Sequence, residues 1–276
     1  MIIIGERINS SRKRIKEAIG KKDIATLVQE AKSQISNGAK FIDINCATSM
    51  ERETDDLIWL IKEIQRQLRC PVSIDSPNIS VISKALEIHK GAAFINSITA
   101  EKEKLKALPF LTKGNKANVV VLAMDENGMP QDAEGRLKIA DTVIDTAVKD
   151  GVDKQNIYID PLVKPVSTEP KQAYYFLQAI KMLKDKGINV VGGLSNVSFG
   201  LPVRGLLNAA FLKLAIDSGI DAVIIDPTDP LIKSVLDNIQ LPQEPFALAK
   251  SAILGEDAYS MNYIKAFREG KLNSLV

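Results

Sequence analysis

The chain has 276 residues, 45% of them apolar and 25% charged, with a formal net charge of +2 at neutral pH. That is the mix of a folded globular chain able to bury a large core, and a charge so near zero argues against nucleic acid or a membrane surface as partner. The N-terminal MIIIGERIN lacks the features of a secretory leader, no apolar run approaches a membrane span, and two cysteines, Cys46 and Cys70, make no disulfide framework, so a cytoplasmic protein is expected.

Taken in chain order, β-rich apolar runs fall at residues 2–4, 41–44, 72–74, 92–95, 119–122, 157–159, 190–191 and 222–225. Between them lie TLVQEAKSQISNG, DDLIWLIKEIQRQL, ISKALEIHKG, DTVIDTAVKDG, AYYFLQAIKMLKDKG and LLNAAFLKLAIDSG. Their apolar residues recur at helical spacing, and several end in a glycine that signals a helix C-terminus. Strands separated by helices must pair in parallel, and eight such alternations predict an α/β fold, a single (β/α)8 TIM barrel spanning 1–276. An open doubly wound sheet is disfavoured because IIIGERINS, the first turn, has no GxGxxG. Residues 124–135, MDENGMPQDAEG, read as a mobile loop able to cover a site, and 163–171 as a second loop stiffened by Pro165 and Pro170. Beyond Gln240 two further helical segments are expected. The single histidine, His89, is expected on the surface at a helix end.

In such a barrel the active site lies at the C-terminal ends of the strands. Those ends carry Glu6 and Arg7, then Asp43 and Asn45, then Asp75 and Asn78, then Asn96 and Ser97, then Met124 and Asp125, then Asp160, then Gly193, Ser195 and Asn196, and last Asp226. Such a mouth is rich in acceptors and amides and has few cations, Arg7, Lys164 and Arg204 among them. It suits a neutral, donor-rich heterocycle better than a sugar phosphate. No histidine or cysteine cluster has metal-ligand spacing, so no bound metal is expected. For Asp43, Asn78 and Asp226, helix capping is an equal alternative to a site role. Lys164 as a Schiff-base nucleophile is weighed against a surface lysine, since it stands several residues past its strand.

The ordered set GERIN (5–9), DIN (43–45), DS (75–76), INS (95–97), IDP (159–161) and GLSNVS (193–198) resembles the pterin-binding methyltransferases, above all those acting between methyltetrahydrofolate and a corrinoid protein. The resemblance implies methyl transfer between N5 of tetrahydrofolate (or 5-methyltetrahydrofolate) and a corrinoid carried by a separate protein, and a homodimer. It assigns the pterin ring to Asp75, Asn96 and Asp160, places Asn196 near N5 as the catalytic group, and adds Gly193, Ser195 and Met124 to the pocket. Gly192 and Gly193 are expected to let the flat ring lie close to the backbone. Glu6, Asp43, Asn45, Phe199 and Arg204 are further candidates. Phe199 stands where a glutamine is expected in near relatives, and with loop 124–135 it is a candidate surface for the corrinoid protein. EIHKGA does not supply a cobalamin-binding DxHxxG, so the corrinoid is expected on the partner. Two alternatives stand beside this reading. One is a dihydropteroate synthase-like enzyme, from which the chain departs by having GLSNVS and IDPTD where a Lys-Gly and an Arg-x-His are expected. The other is a non-catalytic folate-binding module.

Overall fold

A computed structural model describes residues 1–47, 51–113 and 117–272. Eight parallel strands close into a barrel in chain order: β1 (Ile2–Asn9), β2 (Phe41–Asn45), β3 (Val72–Asp75), β4 (Phe94–Thr99), β5 (Asn118–Leu122), β6 (Ile157–Asp160), β7 (Asn189–Gly193) and β8 (Ala222–Ile225). Closure runs from Ile2 opposite Ala222 to Gly5 opposite Ile225. This is the expected TIM barrel.

The crossovers carry α1 (Lys13–Gly20), α2 (Ile24–Ser36), α3 (Glu53–Leu68), α4 (Ile79–Ile88), α5 (Lys102–Leu105), α6 (Leu108–Lys113), α7 (Ala133–Lys149), α8 (Gln172–Asp185) and α9 (Arg204–Asp217). After β8 come α10 (Pro230–Leu236), α11 (Gln243–Leu254) and α12 (Met261–Arg268). The segment beyond Gln240 is thus helical as expected, with α11 packed on α9 and α8.

Side chains on a strand alternate between the two faces of the sheet, and in a barrel one face is the lumen. Ile4, Phe94, Val120, Tyr158, Val191, Ala222 and Ile224 form one buried cluster inside the barrel. Phe94 stands edge-on to Phe41 at 4.8 Å and to Tyr158 at 5.0 Å between ring centres. The intervening residues face outward and join the much larger core between sheet and helices. Gly5 and Gly192 belong to this outward set. A Cβ on Gly5 would stand 2.4 Å from the Gln34 side chain of α2, and one on Gly192 would stand 2.5 Å from Phe176 of α8. Gly192 is therefore a packing glycine, not a bed for a ring; a Cβ on Gly193 would meet nothing within 4 Å.

Two expectations need correction. Residues 124–135 are not one long loop: Asp132 caps α7 by accepting from the Gly135 N–H at 2.8 Å, so the helix begins at Ala133. The part before it is folded into a turn, in which Asp125 pairs with Gly128 and accepts from the Asn127 N–H at 2.8 Å. His89 is half-buried, not on the surface. Its Nε2 lies 3.3 Å from the Val72 N–H and 3.2 Å from Gln65 Nε2, and burial lowers its pKa. Lys164 pairs with Glu169 at 2.7 Å on its loop, which accounts for it without nucleophilic chemistry. Both cysteines are free and buried.

Candidate functional site

Two residues above the aromatic floor, the same lumenal alternation turns polar. Counting from Ile4, Phe41, Ser73, Phe94, Tyr158 and Val191, it reaches Glu6, Asp43, Asp75, Asn96, Asp160 and Gly193. All six still lie within strands, because each strand continues past the apolar run that announces it. Backbone pairing sets Asn45 beside Asp75 and Asp75 beside Asn96. Asn96 donates from Nδ2 to both oxygens of Asp43, at 3.3 and 3.4 Å. Asp43 is therefore a lumenal residue, not a cap. Asn45 accepts at Oδ1 from the Ser10 hydroxyl at 2.8 Å, which fixes its amide across from β3. Asn78, by contrast, is a cap, accepting from the Ser80 N–H at 3.0 Å.

Burial sets the protonation of this group. Taking a carboxylate out of water disfavours its charged form. Asp160 is pushed up to about 6 by desolvation, opposed by the Leu162 and Gly193 N–H groups and by the charge of Arg136. Asp75 is likewise raised to about 6 by burial, against hydrogen bonds from Asn45 and Asp43. Asp43 is raised well above the carboxylate range by burial and by the charge of Asp75, and hydrogen bonds from Ser73 and Asn96 oppose the shift. Among the described residues none of these three carboxyls forms an ion pair.

Across the mouth the arrangement differs. Glu6 accepts from the Ser195 hydroxyl at 2.6 Å, and burial raises its pKa. Asp226 accepts from Arg7 Nη1 at 2.7 Å and from the Thr228 hydroxyl at 2.6 Å. Arg7 is turned toward α2: its Nε donates to Glu30, and its charge is matched by Glu30 and Asp226. Arg204 is exposed; its Nη2 donates to the Ser195 carbonyl at 2.7 Å and its Nε to the Ser198 hydroxyl at 3.0 Å. A cleft of about 160 Å³ lies here, lined among others by Glu6, Arg12, Ser195, Arg204 and Asp226.

Asn196 lies in the turn Leu194–Ser198 that links β7 to α9. Its side chain is exposed and hydrogen-bonds no described residue. Phe199 next to this turn is 65% exposed, with its carbonyl accepting from the Ser167 hydroxyl at 2.9 Å. Met124 is half-buried at the end of β5, where its carbonyl accepts from the Ala100 N–H.

One residue had no sequence signal. Arg136, in the first turn of α7, is fully buried and donates to Gln172; its Nε and Nη1 have no hydrogen-bond partner among the described residues, and its charge acts on Asp160. In sequence it is one cation among many on an amphipathic helix. Among the described residues no group of three or more His, Cys, Asp or Glu is arranged to hold a metal ion, and no helix is long and apolar enough to cross a membrane.

A barrel whose lumen ends in a donor-seeking ring of carboxyls and amides over an aromatic floor is a heterocycle-binding barrel. Residues 5–226 match the family described as pterin binding enzyme, and the chain belongs to that family. It is 31% identical over 276 residues, 99% of this chain and 98% of the other, to methylcorrinoid:tetrahydrofolate methyltransferase of Eubacterium limosum. It is 29% identical over 241 residues to methionine synthase of Mycobacterium tuberculosis, covering 82% of this chain and 20% of that protein. Among solved structures, dihydropteroate synthase of Xanthomonas albilineans with 7,8-dihydropteroate superposes with a TM-score of 0.67 at 20% identity, covering 87% of this chain and 94% of that one. That likeness is one of fold.

Proposed function

We propose that this chain transfers a methyl group between N5 of tetrahydrofolate and the cobalt of a corrinoid carried by a separate protein. The observation that carries this reading is the lumenal layer of Asp75, Asn96 and Asp160 above an apolar floor. A reduced pterin presents N–H and amine donors along one edge, which suit two carboxylate acceptors, and Asn96 both donates and accepts. Hydrogen bonds to charged groups contribute about 1.5–3 kcal/mol each, enough to fix the ring's orientation in a water-poor lumen. Asp43 supports the layer from behind by holding Asn96. Gly193 and Met124 border the pocket, and Asn45 braces β2 against β3.

The whole-length likeness to a methylcorrinoid:tetrahydrofolate methyltransferase supports the identity of the second substrate. In transfer toward tetrahydrofolate, N5 forms the new bond to carbon and loses its proton, while the cobalt keeps the electron pair of the bond that breaks. In the opposite direction the departing amine needs a proton or a hydrogen bond as the N5–carbon bond lengthens. The one histidine is engaged beneath β3. Asn196, whose side chain has both a donor and an acceptor and no hydrogen-bond partner among the described residues, is suited to hydrogen-bond N5 in either protonation state, solvent exchanging the proton. The exposed Phe199 beside it is suited to face the corrinoid protein.

Purified protein, a methylated corrinoid protein and tetrahydrofolate test this reading. Loss of the methylcorrinoid spectrum with formation of methyltetrahydrofolate is expected, and Asn196→Ala should abolish turnover while retaining pterin binding. Tight folate binding without turnover would overturn methyl transfer in favour of a binding module. Near-normal turnover of Asn196→Ala at saturating pterin would remove Asn196 from the chemistry. A dihydropteroate synthase reading lacks support at β7 and β8, where GLSNVS and IDPTD offer no lysine or histidine.

A further inference from the structure

The turn Leu194–Ser198 is anchored from below by Leu194 and Val197, both fully buried, and from behind by the Val166 N–H, which donates to the Val197 carbonyl at 3.1 Å. At its exposed rim the Phe199 N–H donates to the Asn196 carbonyl at 3.1 Å, closing the turn locally. Ser195 is gripped at both ends: its carbonyl accepts from Arg204 at 2.7 Å, and its hydroxyl donates to Glu6 at 2.6 Å. Glu6 reaches it from β1, 189 residues away in sequence and on another wall of the lumen. Asn196 follows directly, its own side chain unattached. The groups facing Glu6 are Arg12, Arg204, Asp226 and Asp43. The nearest cation, Arg12, stands 3.9 Å away, too far for a hydrogen bond, so the Ser195 hydroxyl is the carboxyl's close partner.

We propose that Glu6 and Ser195 form a latch that holds the Leu194–Ser198 turn where Asn196 meets the reacting nitrogen, making Glu6 a positioning residue of methyl transfer. The proposal rests on the function proposed above. A carboxyl at this place acts through geometry: it need not touch the pterin, and its amide isostere can still accept from Ser195. Displacing a reacting group by an ångström costs rate far more than it costs substrate binding.

Steady-state kinetics of Glu6→Ala, Ser195→Ala, the double variant and Glu6→Gln provide the test. Each alanine variant should lower kcat by about 10–100-fold while the KM for tetrahydrofolate stays within about threefold. The double variant should be no slower than the worse single one, and Glu6→Gln should stay within about threefold of the parent. A raised KM with unchanged kcat would assign Glu6 to pterin contact and overturn the latch. So would additive losses, or Glu6→Gln as slow as Glu6→Ala. Backbone amide resonances of Asn196 and Val197 in the free protein give a readout independent of turnover. The parent and Glu6→Gln should show one sharp set, and the alanine variants broadened or doubled signals; single, equally sharp signals in all five proteins would overturn the latch. If the parent protein transfers no methyl group, the proposed function fails, and these resonances alone decide the latch.

Discussion

On the β2–β6 side of the mouth, Asp43, Asp75 and Asp160 lie buried or half-buried beside amides and N–H groups, and burial lifts their pKa values. Across β7, β8 and β1, Arg7 ties Asp226 to Glu30 of α2, and Glu6, though also raised by burial, is taken up by the Ser195 hydroxyl. Both halves are acidic, yet they do different work. An acidic group already matched by an arginine or by a short hydroxyl hydrogen bond has little left to offer a ligand, whereas a desolvated carboxyl with only weak neutral partners gains by meeting a donor. Under the function proposed above, the first half is the recognition surface, held at some cost in stability, and the second is mainly a frame.

Substitutions that treat the halves alike should therefore give unlike results. The largest effect is expected for Asp75→Ala or Asp160→Ala, each lowering pterin affinity by roughly two orders of magnitude, or ~3 kcal/mol, by calorimetry. In the parent protein affinity should be flat above neutral pH and weaken below pH about 6, as Asp75 and Asp160 take up protons and cease to be pure acceptors. Affinity that rises on acidification would reverse the assignment of these carboxyls as acceptors.

Next comes Arg7→Ala, which strands the buried Glu30 carboxyl. Breaking a buried pair from one side is strongly destabilising, and with Arg7 partly exposed a loss of ~2 kcal/mol in denaturant unfolding is expected, with pterin affinity changed less than about threefold. A large loss of affinity would show that the frame also recognises the ligand.

Asp160→Asn should do the reverse, weakening pterin binding while stabilising the fold by ~1–2 kcal/mol at pH 7. The sign follows from the raised pKa. The folded state holds this proton more tightly than the unfolded chain, so wild-type stability contributed here is full below about pH 4 and is lost as pH rises to about 6. The advantage of the asparagine should accordingly vanish near pH 4. The smallest effect, under ~0.5 kcal/mol, is expected for Arg12→Ala, whose contacts to Glu6 and Asp226 are 3.9 and 4.0 Å and solvent-exposed.

Much of this was legible without coordinates. The eight apolar runs, the helical spacing between them and the polar residues closing each run led to the barrel and to Asp75, Asn96 and Asp160, because strand and helix periods are local properties of the chain. The same local rules misjudged where elements end. Polar lumenal residues such as Glu6 and Asn96 look like the start of loops, although the strands run through them. Asp132 capping α7 shortened what the Gly- and Pro-containing stretch 124–135 presented as one loop.

What the sequence by itself determined is the class of fold, the residue types at the mouth and the absence of a histidine there. Tertiary structure alone decided that the Asp43–Asp75 pair is held above the usual carboxylate range, since desolvation depends on everything packed around the pair. It also decided that Arg7 points out to Glu30 while Glu6, its neighbour, points in to Ser195, and that Gly192 answers to Phe176 and not to a ligand. These facts join residues from tens to nearly two hundred positions apart. No local pattern encodes them, because they arise only when barrel closure brings the strand ends onto one rim.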